Sequence, residues 1–176
     1  MSKIINVFAG PGAGKSMFCM ELLAEMKKVG VNKGFTSEYV SEAAKKYVWT
    51  ESPIMDGSEI HQTILLGEQL HKLERLNGNV DYIISDSPLI LNALYNKELT
   101  YGYEEMIVRM FKKYDTCNLF LERDLSVPYE TAGRLQTLEG AIEIDKKIKR
   151  FLQRHNIRYQ NTNYDPKGVI KKIIKY

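Results

Sequence analysis

Short apolar runs alternate along the chain with longer stretches in which apolar residues recur at helical spacing. The short runs predict β-strands at residues 4–8, 31–36, 80–85, 117–121 and 157–160. The longer stretches predict helices at residues 16–28, 41–47, 58–76, 89–95, 104–114, 138–155 and 169–176. Strands that alternate with helices form parallel sheets covered on both faces. The pattern therefore predicts a three-layer α/β/α fold around a parallel sheet of about five strands.

Two segments carry neither pattern. Residues 49–57 are predicted to form a loop, and residues 123–137 are polar and contain Pro128 and Gly133, a composition typical of mobile segments,. The chain has no internal repeat, low-complexity tract or linker, and its 176 residues with 44% hydrophobic content suit one core,. The sequence predicts a single domain over residues 1–176, with a lid at about 123–137,.

The charge is mildly basic, with a formal net value of +3 and an isoelectric point near 8.7. This balance falls well short of the dense Lys and Arg stripe typical of nucleic-acid-binding proteins. Cys19 and Cys117 lie far apart without histidines at zinc spacing, so neither a disulfide framework nor a metal cluster is indicated,. No apolar stretch suits a signal peptide or a membrane span, so we expect a soluble, cytoplasmic protein of undetermined oligomeric state,.

Residues 9–16 match the Walker A phosphate-binding pattern except at Ala9, where the strict pattern has Gly,. The glycines let backbone N–H groups face a phosphate without a Cβ in the way. Lys15 can reach the terminal phosphates of ATP, and the Ser16 hydroxyl is suited to Mg²⁺. A tight strand-to-helix connection is the alternative, but the Lys-Ser pair favours nucleotide binding. The predicted nucleotide-binding residues are Gly10, Pro11, Gly12, Ala13, Gly14, Lys15, Ser16 and Met17.

A carboxylate, Asp86, follows the third predicted strand. Because ligands of open α/β sheets bind at the carboxyl ends of the strands, Asp86 is predicted to lie beside the phosphate loop. It would hold Mg²⁺ there directly or through water, as a Walker B acid does. The alternative is that Asp86 caps the next helix or begins a turn with Ser87 and Pro88.

Glu38 follows the second predicted strand, where a carboxylate could face the acceptor hydroxyl and act as general base,. The alternative is a solvated Glu near the start of a helix. Arg123 and Arg134 flank the polar segment, where a lid would close over a triphosphate. Guanidinium groups suit that place because they follow the charge that spreads over the phosphoryl oxygens. Ordinary surface arginines are the alternative.

Other polar groups point less clearly to a function. Glu68 and Gln69 could bind a nucleobase edge, although a solvated helix face is the commoner situation. The basic residues 146–150 and Lys171, Lys172 and Lys175 could contact a polynucleotide backbone,. Because acidic residues accompany the first group on its helix, an exposed face of mixed charge is favoured. The sequence leaves a nucleic-acid substrate open.

Several segments together resemble the small P-loop kinases, most of all the nicotinamide-riboside-kinase-like branch, whose members are often carried by bacteriophages. The segments are residues 9–16, 37–39, 64–70, 83–88 and 121–134. The resemblance implies a nucleoside/nucleotide-kinase fold, ATP and Mg²⁺ as cofactors, and an arginine-bearing lid. The implied site residues are Lys15 and Ser16 on triphosphate and metal, Asp86 and Glu38 as the acids after two strands, and Arg123 and Arg134 in the lid. Such kinases also resemble polynucleotide kinase and the phage enzymes that phosphorylate hydroxymethyl-uracil in DNA.

These features predict an ATP-dependent phosphotransferase that moves the γ-phosphoryl group to a nucleoside- or nucleotide-like acceptor. One alternative is a kinase of hydroxymethyl-pyrimidine in phage DNA, which would act in the host cytoplasm. Another is a nucleotide-dependent switch or assembly NTPase that transfers phosphate only to water. The sequence motifs do not separate these functions.

Overall fold

The computed structural model describes residues 1–50, 52–98, 101–129 and 136–174. Within them, the strands are β1 (Lys3–Phe8), β2 (Ser37–Val40), β3 (Tyr82–Ser85), β4 (Asp115–Leu121) and β5 (Gln160–Thr162). They form a five-stranded sheet in the order β2-β3-β1-β4-β5, and every neighbouring pair is parallel. The predicted α/β fold with about five parallel strands is confirmed.

Helices connect the strands and cover both faces of the sheet. They are α1 (Lys15–Lys33), α2 (Lys45–Trp49), α3 (Glu59–Glu74), α4 (Leu91–Tyr95), α5 (Tyr103–Phe111), α6 (Leu138–Arg154) and α7 (Pro166–Ile173). The predicted loop between α2 and α3 contains a 3₁₀ turn at Pro53–Met55. Helices α1 and α7 pack on one face, and α3 to α6 pack on the other. The three predicted layers are present.

Strand β1 contributes to both cores because successive side chains point to opposite faces of a sheet. Ile4 and Phe8 join the apolar cluster beneath α3 to α6, while Ile5 and Val7 join the cluster beneath α1 and α7. A strand that is buried on both faces is mostly apolar, which explains the hydrophobic character of residues 4–8. The exception is Asn6, which is buried and donates a hydrogen bond to Asn118 Oδ1 of β4 at 3.0 Å.

The second strand lies later in the chain than the sequence predicts. Helix α1 continues through Val31, whose side chain is exposed, and ends at Gly34, which has a left-handed φ of 73°,. Strand β2 then forms at Ser37–Val40 instead of at 31–36. The prediction was wrong because Val31, an apolar residue in the last turns of α1, looks in the sequence like the start of a strand.

The last strand and the last helix are also shifted relative to their predicted positions at 157–160 and 169–176. Ile157 is buried in the core beside α6 instead of pairing in the sheet. Helix α7 begins earlier because the Asp165 side chain accepts a hydrogen bond from the Gly168 N–H at 2.9 Å and Pro166 occupies the first helical position,.

The strand order creates a crevice at the carboxyl ends of β1 and β3. After β1 the chain crosses to β2, beyond β3, whereas after β3 it crosses to β4 on the other side of β1. The two connections therefore leave in opposite directions, and such reversal points are where ligands of open α/β sheets bind. The residues that follow Phe8 and Ser85 are thus placed at the expected ligand site.

Candidate functional site

The loop that follows β1 has the backbone shape of a phosphate-binding turn. Gly12 and Gly14 have φ values of 75° and 85°, a region that favours glycine,. Gly14 immediately precedes α1, so residues 10–16 lead directly into the positive end of a 19-residue helix,. Met17 lies exposed on the first turn of that helix. The strand, loop and helix required by the Walker A motif are all present.

Three of the predicted site residues meet in the crevice. Ser16 Oγ donates a hydrogen bond to Asp86 Oδ2 at 2.6 Å. Asp86 directly follows β3, and only 2% of its surface is exposed. Lys15 Nζ donates to the carbonyl oxygen of Gly10 at 3.3 Å. The structure therefore brings Lys15, Ser16 and Asp86 together from two distant segments of the chain.

The Ser16 and Asp86 side chains fit a hard cation such as Mg²⁺. Both supply oxygen atoms, the ligands that Mg²⁺ prefers. The second carboxylate oxygen of Asp86, Oδ1, is buried and has no hydrogen-bond partner among the residues that the structure describes. Because leaving a buried carboxylate oxygen without a partner is unfavourable, a cation beside this oxygen would stabilise it.

Tyr39, which the sequence did not single out as a site residue, also contacts Asp86. Its hydroxyl donates to Asp86 Oδ2 at 2.9 Å. Burial, and then the nearby Asp86 carboxylate, raise the pKa of the Tyr39 hydroxyl far above its ordinary value, so it remains a donor at neutral pH. The hydrogen bonds of Asp86 thus run to Ser16 and Tyr39 and not to the turn that follows it, which argues against the alternative role as a helix cap.

Glu38 lies within β2 and not after it, contrary to the predicted position. Its carboxylate pairs with Lys27 Nζ of α1 at 2.7 Å, and 46% of its side chain is exposed. An exposed ion pair in the middle of an edge strand does not present a carboxylate to the phosphate loop. The structure therefore does not bring Glu38 to Lys15 and Asp86.

Glu42, two residues after β2, is the carboxylate at the carboxyl end of that strand. Burial raises the pKa of its carboxyl, while nearby Lys15 lowers it in part and Asp86 raises it further. Tyr95 of α4 lies near Glu42. Burial, and then the Glu42 carboxylate, raise the pKa of the Tyr95 hydroxyl. The sequence predicts a carboxylate after the second strand. With β2 at Ser37–Val40, the carboxylate in that position is Glu42 and not Glu38.

Helix α3 fixes the segment that carries Glu42. The side-chain oxygen of Gln69 accepts a hydrogen bond from the Ala43 N–H at 2.9 Å. On the other side of Glu42, Lys72 Nζ donates to the carbonyl oxygen of Ser41 at 3.3 Å. The backbone is thus held on both sides of the carboxylate.

The two polar residues of α3 that the sequence offered as nucleobase contacts are occupied by this segment. Gln69 is buried, and Glu68 accepts a hydrogen bond from the Tyr47 hydroxyl and pairs with Lys46 Nζ at 2.8 Å. Neither side chain is a freely solvated group. Their hydrogen bonds join α3 to α2 and to the end of β2.

Arg123 packs against the phosphate loop. Its Nε donates to Asp145 Oδ2 of α6 at 2.8 Å, and its Nη2 donates to the carbonyl oxygen of Pro11 at 2.8 Å. Because only 7% of its side chain is exposed, Arg123 is not an ordinary surface arginine. Its Nη1 is buried without a hydrogen-bond partner in the described ranges and is available to a ligand. The other predicted lid arginine, Arg134, lies outside the described residues.

The first basic group, residues 146–150, forms a face of mixed charge. Lys149 pairs with Glu122 at 2.8 Å, while Glu143 pairs with Arg150 at 2.7 Å and with Lys146 at 3.5 Å. This is the arrangement that the acidic neighbours in the sequence favour. Lys171 and Lys172 are exposed on α7, and Lys175 lies outside the described residues.

A model of a family described as an AAA domain matches residues 5–167. No curated protein matches the chain. None of the helices in the described ranges has both the length and the apolar character needed to cross a membrane.

Solved structures share the fold at low sequence identity. The chain is similar to Kti12 from Chaetomium thermophilum in complex with ADP-AlF3, with a TM-score of 0.52 and 17% identity over 97% of this chain and 96% of that one. A shikimate kinase from Acinetobacter baumannii in complex with shikimate has a TM-score of 0.49 and 18% identity, covering 99% of this chain and 92% of that one. At such identities the first similarity establishes the fold alone, and the second is too distant to add to it.

Proposed function

Because this chain belongs to the AAA domain family and carries a Walker A loop beside a buried carboxylate, we propose that it is an ATP-dependent phosphotransferase of the P-loop kinase type. It transfers the γ-phosphoryl group of ATP to a nucleoside- or nucleotide-like acceptor. The observation that carries the proposal is the 2.6 Å hydrogen bond from Ser16 to Asp86, which joins the loop after β1 to the acid after β3. Binding of a polyphosphate is the chemistry for which this arrangement is best suited.

The loop holds the donor by its backbone and by one side chain. N–H groups of residues 12–16 and the positive end of α1 face the phosphates,. When ATP binds, Lys15 Nζ contacts the terminal phosphates in place of the Gly10 carbonyl oxygen, from which it lies 3.3 Å away. Ser16 and Asp86 would hold Mg²⁺, which offsets the negative charge of the phosphate oxygens when it is bound.

With a hydroxyl acceptor, Glu42 accepts the proton. The acceptor oxygen bonds to the γ-phosphorus, the bond from that phosphorus to the β–γ bridging oxygen breaks, and ADP leaves. A raised pKa makes the Glu42 carboxylate a stronger base than an ordinary glutamate,. A phosphate acceptor needs no such proton transfer. Glu42 takes the role first predicted for Glu38, which is paired with Lys27 on an edge strand.

The arginines stabilise the charge in transfer. Nη1 of Arg123 is the buried donor available to the phosphoryl oxygens, while its other nitrogens are held by Asp145 and Pro11,. Arg134 in the predicted lid is the second candidate for this role.

The proposal is tested by incubating the protein with γ-labelled ATP, Mg²⁺ and a panel of acceptors. The panel contains nucleosides, nucleoside monophosphates, nicotinamide riboside and hydroxymethylated DNA. Label in one small acceptor supports the proposal, whereas label only in DNA supports the kinase of modified pyrimidine. Label released only as inorganic phosphate, unaffected by any acceptor, supports a switch or assembly NTPase.

A variant of the phosphate loop shows whether this loop is responsible for turnover. Lys15→Ala should lower transfer about 100-fold or more, because the ammonium group contacts the transferring phosphates. Its circular dichroism spectrum should stay unchanged, because the Lys15 side chain is only partly buried and is not in the core. Retained turnover in this variant would contradict the mechanism.

A further inference from the structure

Asp145 on α6 contacts the phosphate loop from a position far away in the sequence. Its Oδ1 accepts a hydrogen bond from the Gly10 N–H. Its Oδ2 accepts one from Arg123 Nε at 2.8 Å, and the same guanidinium group donates through Nη2 to the Pro11 carbonyl at 2.8 Å. One carboxylate therefore holds two successive residues of the loop, Gly10 directly and Pro11 through Arg123. We call these contacts the Asp145 bridge.

The backbone of α6 also lies very close to the loop. A Cβ at Gly10 would lie 2.6 Å from the carbonyl oxygen of Ala141 and 2.9 Å from Asp145 Oδ1. Only glycine allows this approach, since real Cβ atoms do not come so near to a backbone oxygen. The glycine at position 10 is therefore required by the contact with α6 as well as by the turn.

The Asp145 bridge is nearly buried, with 7% of the Arg123 side chain and 14% of the Asp145 side chain exposed. Desolvation of two charges offsets most of their attraction, so a buried ion pair contributes little net stability compared with apolar side chains. What the pair does provide is direction, because each hydrogen bond fixes the angle of one loop group. The contacts of the pair with Gly10 and Pro11 therefore point to a role in loop geometry.

We propose that Asp145 is a positioning residue for nucleotide binding, an inference that rests on the proposed function. By fixing the Gly10 N–H and the Pro11 carbonyl on the α6 side, the Asp145 bridge leaves the N–H groups of residues 12–16 directed into the crevice. A loop without the bridge must be ordered when the nucleotide binds, and that ordering lowers affinity.

The test is calorimetric titration of the full chain with Mg²⁺ and a non-hydrolysable ATP analogue. Asp145→Ala should weaken binding of the analogue tenfold or more. Asp145→Asn should lie between the wild type and Asp145→Ala, because its amide oxygen can still accept from Gly10 but its NH₂ group cannot pair with Arg123. Glu143→Ala is the matched control, since it removes an exposed carboxylate two residues away on the same helix. Its affinity should stay within twofold of the wild type.

A second variant keeps the proposal testable if Asp145→Ala fails to fold. The double variant Arg123→Met with Asp145→Leu replaces the pair by apolar groups and leaves no buried charge without a partner. It should fold with a Tm close to that of the wild type and bind the analogue at least tenfold more weakly than Arg123→Met alone, which also lacks the guanidinium group but keeps the Asp145 acceptor for Gly10.

Kinetics separate positioning from general damage to the fold. Asp145→Ala should raise the KM for ATP and lower kcat, whereas the KM for the acceptor should stay unchanged. Affinity of Asp145→Ala within twofold of the wild type would overturn the proposal, and so would affinity of the double variant within twofold of Arg123→Met. If the wild-type protein binds no nucleotide, the proposed function fails first, and this inference fails with it.

Discussion

Two carboxylates in the crevice, Asp86 and Glu42, have different surroundings. Asp86 accepts hydrogen bonds from Ser16 and Tyr39, two side chains that hold it in one orientation. Glu42 has no comparable pair of donors among the described contacts, and burial raises its pKa. An oriented acid suits a metal ligand, and a more basic one suits proton transfer.

The variant Glu42→Gln tests the role of Glu42 in proton transfer. We expect Glu42→Gln to lower kcat with a hydroxyl acceptor about 100-fold or more, since a general base contributes at least that much. The wild-type kcat should fall on the acid side with a midpoint above 4.5, the ordinary pKa of a glutamate. Glu38→Gln, which removes an exposed ion pair, is the control and should keep kcat within about twofold,.

The raised pKa also has a defined effect on stability. A carboxyl whose pKa is raised in the folded state binds its proton more tightly there, so the fold loses stability as the pH rises toward that pKa. Ionised Glu42 therefore lowers stability at neutral pH. The Tm of Glu42→Gln at pH 8 should equal or exceed that of the wild type in thermal unfolding, and a clear fall would contradict the predicted direction.

The Tyr39 hydroxyl is expected to stabilise the oriented acid. Tyr39→Phe removes a hydrogen bond to a buried carboxylate and should lower the free energy of unfolding by roughly 1–2 kcal/mol,. It should also weaken binding of the magnesium nucleotide, which calorimetry would measure. Tyr82→Phe is the control, because the described structure gives its hydroxyl no hydrogen bond. A Tyr39→Phe variant that behaves like this control would show that Asp86 needs no such support.

At the scale of elements, the boundaries of α1 and β2 depend on one glycine. Gly34 has a φ of 73°, and a Cβ added there would have no atom within 4 Å. A substitution at this position therefore changes stability through backbone strain and not through a steric clash. Apolar periodicity cannot detect this ending, because Val31 on the exposed side of the last turns looks like part of a strand,. Glu38 follows a strand at residues 31–36, whereas Glu42 follows β2 at its observed position, Ser37–Val40.

A pair of glycine substitutions tests this account of the helix end. Gly34→Ala should lower the free energy of unfolding by about 1 kcal/mol, because alanine is strained at positive φ,. Gly67→Ala, inside α3 with open space around it, should raise it by roughly 0.5–1 kcal/mol,. Chemical denaturation measures both. Two changes of the same sign would contradict the explanation.

Considering the whole molecule, the sequence was sufficient for the layers, the parallel sheet and the Walker A loop, because each follows from a local pattern. Asp86 was predictable because the end of a strand marks the ligand edge of the sheet. Asp145 was not, because its contact with Gly10 spans 135 positions. Periodicity predicts that Asp145 lies on a charged helix but gives no sign that this helix packs against the loop.

Binding at the crevice should stabilise the complete fold. A ligand present at 100 times its Kd adds about 2.7 kcal/mol to the free energy of unfolding, which corresponds to roughly 5–10 °C in Tm for a chain of this size. We expect magnesium ATP to give such a shift and EDTA to reduce it. Asp86→Asn should reduce it as well, whereas Asp115→Asn, which loses an exposed pair with Lys3, should not. An equal shift in Asp86→Asn would argue against a metal role for this acid.

The central position of β1 also affects how the protein is made. In the sheet, Lys3 lies opposite Tyr82 of β3 on one side and opposite Asp115 of β4 on the other. The partner of the Gly10 N–H lies still later in the chain, on α6. The phosphate loop is synthesised before α6, which supplies the partner of Gly10, so the loop reaches its final shape only after α6 has been made. A growing chain is therefore stabilised less by nucleotide until α6 has emerged, and until then it depends more on other means of avoiding aggregation.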